Sequence, residues 1–103
     1  SYQLLRGDKP GAELKLDFEG RTVGAFILAG PDAGIVEASI DGGEFTKHDL
    51  FHRFSGGLNY PRSVIFATDL KPGKHELKLR LSKDKNAKSK GTTASILFFE
   101  VNR

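Results

Sequence analysis

The chain has 103 residues, 16 Lys and Arg against 13 Asp and Glu, a net charge of +3 and 38% hydrophobic residues. That balance describes a folded globular chain and excludes a disordered polyelectrolyte, and no apolar run approaches the roughly 18 residues of a membrane-spanning helix. Cys, Met and Trp are absent, which excludes disulfides, thiolate nucleophiles and zinc–thiolate centres.

The chain starts at Ser1 without Met, so a processed product or an excised piece is expected, folded as one domain over residues 1–103. Residues 1–11 form a lead-in that contains the integrin-type tripeptide Arg6-Gly7-Asp8, a common chance match. From Ala12 to Phe18, Leu14, Leu16 and Phe18 alternate with charged residues, which predicts a half-buried strand. Thr22 to Gly30 is apolar on both faces: Val23, Ala25, Ile27 and Ala29 on one, Phe26 and Leu28 on the other. After a Pro31 turn, Val36, Ala38 and Ile40 alternate with Glu37, Ser39 and Asp41, and Asp41-Gly42-Gly43 supplies the positive φ values of a primed hairpin turn. The hairpin runs on to about Asp49.

Leu50 to Arg62 is expected to be irregular, broken by Ser55-Gly56-Gly57 and turned again at Asn59-Tyr60-Pro61. Strands are predicted at 63–70, 75–82 and 92–101, the last again apolar on both faces, with Lys71-Pro72-Gly73-Lys74 as a tight connection. Short turns and no helical period point to an all-β fold, an antiparallel two-sheet β-sandwich of about seven to eight strands, jelly-roll-like. In a lone sandwich the outer faces meet water, yet Phe26, Leu28, Ile65, Phe98 and Phe99 cannot obviously all point inward. Two explanations stand: curvature with strands shared between layers, or a partner docked on one sheet.

Chemistry-bearing motifs are sparse. Asp49-Leu50-Phe51-His52 has the Asp-x-x-His spacing of SGNH hydrolases, where the acid orients a histidine base, but no Gly-Asp-Ser segment supplies a nucleophile. His48, Asp49 and His52 lie close in sequence without a ligand spacing that dictates geometry, and no acidic cluster suits calcium. No catalytic residue, metal or cofactor is therefore expected. The basic run Lys83–Lys90 is either a solvated loop or an anion or nucleic-acid contact. The better binding segment is Phe51 to Arg62, where Phe51, Phe54 and Tyr60 are interleaved with polar groups. His52, Arg53, Asn59, Tyr60 and Arg62 are the expected ligand contacts there, because rings stack on sugar C–H faces and planar polar groups hold hydroxyls. The opposing explanation is that Phe51 and Phe54 plug the end of the core.

Three segments together carry a resemblance: Val23 to Gly34, Ser39-Ile40-Asp41-Gly42-Gly43 with Asp49-Leu50-Phe51, and Leu70 to Leu77 with Ser89-Lys90-Gly91. They resemble the β-sandwich accessory domain, of the galactose-binding-like set, attached to bacterial SGNH/GDSL-type carbohydrate esterases. The resemblance covers about Ala12 to Asn102. It implies a non-catalytic module, secreted or periplasmic, whose partner is an adjacent hydrolase domain of the same polypeptide, with a glycan as a second partner and neither nucleic acid nor membrane. Its work would be interdomain packing and substrate positioning. An autonomous carbohydrate-binding module and a protein-interaction or adhesion sandwich are the alternatives.

Overall fold

A computed structural model describes residues 13–51, 60–84, 86–91 and 94–103, with Tyr60 as backbone alone. Among them are seven strands and no helix: β1 (Glu13–Glu19), β2 (Thr22–Ala29), β3 (Ile35–Ile40), β4 (Thr46–Asp49), β5 (Tyr60–Ala67), β6 (Lys74–Leu81) and β7 (Ser95–Asn102). They form a four-stranded sheet in the order β1-β6-β3-β4 and a three-stranded sheet in the order β5-β2-β7. All pairings are antiparallel. The chain passes repeatedly from one sheet to the other, as the jelly-roll expectation requires.

In the four-stranded sheet the period of two sorts the side chains cleanly. Leu14, Leu79 and Ala38 form one cross-strand row, and Leu16, Leu77 and Ile40 the next. Leu77, Leu79, Val36 and Ala38 are buried. The opposite face carries Glu13, Arg80, Glu37 and Lys47 as one row of alternating charge. Within it Arg80 Nε donates to Glu37 Oε1 at 2.7 Å, and its guanidinium lies 3.6 Å over the Phe45 ring. This face is built for water.

The second sheet supplies Val23, Ala25, Ile27 and Ala29 from β2, Val64 and Phe66 from β5 and Ile96 from β7 to the same core. Leu50, Ala33 and Ala94 are buried with them, and Phe51 packs against the cluster. Burial of each large side chain contributes about 1.5–3 kcal/mol.

The hairpin turn is as the sequence predicts. Asp41 and Gly42 both take positive φ (53° and 76°), and the Gly43 N–H donates to the Ile40 carbonyl at 2.9 Å, the primed pattern that matches strand twist.

Several boundaries differ from expectation, including β6 at 74–81 and β7 at 95–102 where 75–82 and 92–101 were expected. Tyr60-Pro61 is the start of β5, not a turn, and this strand ends at Ala67 rather than Leu70. Pro61 fits because β5 is the edge of its sheet, where a missing N–H leaves no ladder partner unpaired. The described residues of the basic run are tied down: Lys47 pairs with Asp84 at 2.9 Å, Asn86 Nδ2 donates to Asp49 Oδ2 at 2.9 Å, and buried Ser89 donates to the Ala33 carbonyl at 2.7 Å.

Candidate interface on the three-stranded sheet

The buried side of β2 is Val23, Ala25, Ile27 and Ala29. Alternation therefore turns Thr22, Gly24, Phe26 and Leu28 outward. Their cross-strand partners share that face: Ile65 beside Gly24, Ser63 and Phe98 beside Phe26, and Pro61 beside Leu28. Phe26 and Phe98 stack with ring centroids 5.1 Å apart and planes 19° from parallel. Ile65 is 48% exposed and Phe98 46% exposed. Phe99, by contrast, packs against the core. Four of the five doubtful apolar residues thus face outward on one sheet, and the strands are not shared between layers. Phe26 and Leu28 are half-buried there, while Ile65 and Phe98 stand exposed.

The expected ligand contacts fare differently. His52, Arg53 and Asn59 lie outside the described residues, as does Phe54. Tyr60 opens β5 opposite Ala29, and Arg62, half-buried, pairs with Ile27 and so falls on the core-facing side of β5. Arg62 therefore does not belong to the outer apolar face. Asp49 of the Asp-x-x-His motif is occupied locally: its Oδ1 accepts the Phe51 N–H at 3.0 Å and its Oδ2 the Asn86 amide. His48 lies edge-on to Phe66 at 5.2 Å and shares a 2.8 Å hydrogen bond with Thr46 Oγ1; burial lowers its pKa. Among the described residues no group of three or more His, Asp or Glu could hold a metal.

One acid–histidine pair was not foreseen. His75, at the start of β6, places Nδ1 2.6 Å from Asp41 Oδ2 and Nε2 2.6 Å from the Lys71 carbonyl oxygen. The pair lines a shallow cleft of about 570 Å³ with Asp17, Phe18, Glu19, Lys74 and Glu76. A carbonyl and a carboxylate both accept, so the two bonds form together only when both ring nitrogens carry protons, as in the imidazolium. Neither nitrogen is left to serve as a base, and the pair is a clasp between the β3 turn and β6. Asp41 Oδ1 completes it by accepting the Glu76 N–H at 2.8 Å. The hydrogen bond to Asp41 and then the Lys71 carbonyl raise the His75 pKa above 6.5, and the bonds from His75 and the Glu76 amide lower that of Asp41 below 3.8.

A pH dependence follows from those directions. The His75 contribution is complete below its unfolded pKa and is lost as pH rises through the raised folded value. The Asp41 contribution is present above its unfolded pKa and is lost as pH falls through the lowered folded value. The clasp therefore stabilises most between about pH 4 and pH 6.5. Urea midpoints of the wild type and His75→Gln should differ most at pH 5 and converge above neutrality; a gap that is constant with pH would reject the clasp.

No family model matches this chain, and no curated protein matches it. Solved structures share its fold. A family two carbohydrate esterase from Clostridium thermocellum, solved with cellohexaose, aligns over 90% of this chain at 18% identity and a TM-score of 0.62. A two-domain esterase active on acetylated mannans, co-crystallised with mannopentaose, aligns over 91% at 15% identity and a TM-score of 0.70. A Paenibacillus xanthan lyase aligns over 94% at 18% identity and a TM-score of 0.67. The chain spans about a quarter of the two esterases, 25% and 26%, and 10% of the lyase.

Proposed function

We propose that this chain is a non-catalytic β-sandwich module of a larger carbohydrate esterase, secreted or periplasmic in a bacterium, and that the outer face of the β5-β2-β7 sheet seats it on the catalytic domain. The observation that carries this reading is the contrast between the two sheets. One outer face is a ladder of alternating charge; the other presents the Phe26–Phe98 stack with Leu28 and Ile65. Water favours the first and penalises the second, so the second is the face that gains from a partner. The fold it shares with a portion of carbohydrate esterases supports a neighbouring hydrolase as that partner. Under this reading the module positions acylated carbohydrate for the neighbour. His52, Arg53 and Asn59, together with Tyr60 and Arg62 at the start of β5, are the residues proposed to meet glycan, through ring stacking on sugar C–H faces and planar polar groups on hydroxyls.

Hydroxyl-radical footprinting tests the docking. Phe26, Phe98 and Ile65 should be labelled in the 103-residue chain alone and become severalfold less reactive in the natural polypeptide that carries it, while Phe45 on the other sheet stays unchanged. Phe98→Asp should undock the module, weakening the interdomain contact by about 2 kcal/mol or more. Protection of the same rings by an added oligosaccharide in the isolated chain, without any neighbour, would instead identify an autonomous binding module. Turnover of an aryl acetate by the isolated chain would overturn the non-catalytic assignment.

A further inference from the structure

Among the described residues of the outer face, one carries a charge. Glu100 on β7 stands opposite Gly24 on β2, and its Oε1 is buried without a hydrogen-bond partner. Beside it is a depression of about 340 Å³ lined by Thr22, Ser63, Ile65, Glu100, Val101 and Asn102. Between Ile65 and Glu100 stands Gly24, where no side chain fits: a Cβ would meet the Val64 carbonyl oxygen at 2.4 Å. Buried acceptors are almost always satisfied in folded proteins, and one left open marks either a cost or a missing donor.

We propose that a cationic side chain, arginine or lysine, of the neighbouring domain enters this depression and donates to Glu100 when the face docks. The inference rests on the docking reading above and names the chemistry of the partner surface: apolar, with one protruding positive charge. Three features of the hollow suit such a guest. Glu100 offers an acceptor oxygen that nothing else uses. Thr22 and Ser63 line the same space, and their hydroxyls can accept further hydrogen bonds from the ammonium or guanidinium group. Ile65, on the same outer face, offers an apolar surface along which the aliphatic stem can lie. An apolar guest would leave the oxygen unsatisfied, and an acidic one would be repelled.

Thermal unfolding of Glu100→Leu, measured in two settings, tests this. In the 103-residue chain alone the substitution removes an unsatisfied buried oxygen and should raise Tm by about 4 °C or more. In the natural polypeptide it removes the anchor and should lower the transition of the module. Glu100→Gln, which keeps the shape and loses the charge, should fall in the same direction in the polypeptide. A change of the same sign in both settings overturns the proposal. Footprinting separates this from failure of the docking reading. If Phe98 is protected in the polypeptide and stays so in Glu100→Leu, only the anchor is wrong; if Phe98 is never protected, the docking itself is. A dimer of the isolated chain in sedimentation, dissolved by Glu100→Leu, would assign the face to a second copy and also overturn it.

Discussion

Gly24→Ala is expected to lower the stability of the chain by about 2–4 kcal/mol, the cost of forcing atoms into a space that is already full. The added Cβ would lie 2.4 Å from the Val64 carbonyl oxygen, 3.2 Å from Ile65 Cα and 3.1 Å from Ile65 Cδ1. The first two are backbone atoms, so no rotamer change relieves the clash. Relief requires β5 to move off β2, and β5 brings Val64 and Phe66 to the core. Backbone conformation is not the reason for this glycine, since its φ is not positive. Gly42 makes the opposite case: nothing lies within 4 Å of a Cβ there, but its φ is +76°. Gly42→Ala should cost only about 1 kcal/mol, from the left-handed conformation alone. Urea denaturation of both variants checks the order, with an unchanged m-value showing that stability moved and not compactness. A Gly24→Ala variant no weaker than Gly42→Ala would mean that β2 and β5 are farther apart than described.

The same crowding at β2 explains what the amino-acid order could and could not disclose. β1, β3 and β6 were legible because each has one wet and one buried face, and the period of two records that difference directly. β2, β5 and β7 were recognisable as strands, but their facing was hidden. A one-residue irregularity in a ladder reverses which side chains point inward. Such a shift lies between Phe26 and Ile27 in the β2–β7 pairing, where Phe26 pairs with Phe98 but Ile27 pairs with Ile96. Strict alternation puts Ile96 and Phe98 on one face; with Leu97 as the extra residue, Ile96 turns inward and Phe98 outward. A second shift, between Val23 and Gly24, skips Phe66 on β5. Neither has a sequence signature of its own. The His75–Asp41 clasp joins residues 34 apart, and only the adjacency of β6 and β3 brings them together. Ser89 is similar: it stands in a basic, polar run, yet it is buried because its hydroxyl reaches the turn at Ala33. The candidate interface was legible as a surplus of apolar residues, while the notch at Gly24 and Glu100 needed the pairing register.

Leu79→Ala should cost about 2–5 kcal/mol, the range for emptying a buried leucine site that cannot collapse. Leu79 is fully buried, with Leu14 and Ala38 beside it across the strands. Its strand, β6, is held on one side by β1 and on the other by β3. Ala38 is too small to fill the space that the leucine leaves, and neither flanking strand can close on it without breaking a ladder. Against a total of about 5–15 kcal/mol for an ordinary domain, that loss is a large fraction. Leu14→Ala removes the same atoms from a half-buried position on the edge strand β1, where the chain can shift inward. It should cost clearly less, and equal midpoints for the two variants would contradict the layer order. Leu79 also separates stability from docking. It belongs to the four-stranded sheet and faces away from solvent, so Leu79→Ala should leave the labelling of Phe26, Phe98 and Ile65 unchanged below its unfolding midpoint. Phe98→Asp should do the reverse, with little change in the unfolding of the isolated chain and a lost interface in the polypeptide. Opposite results from the two sheets are what a sandwich with one core face per sheet and one open apolar face requires.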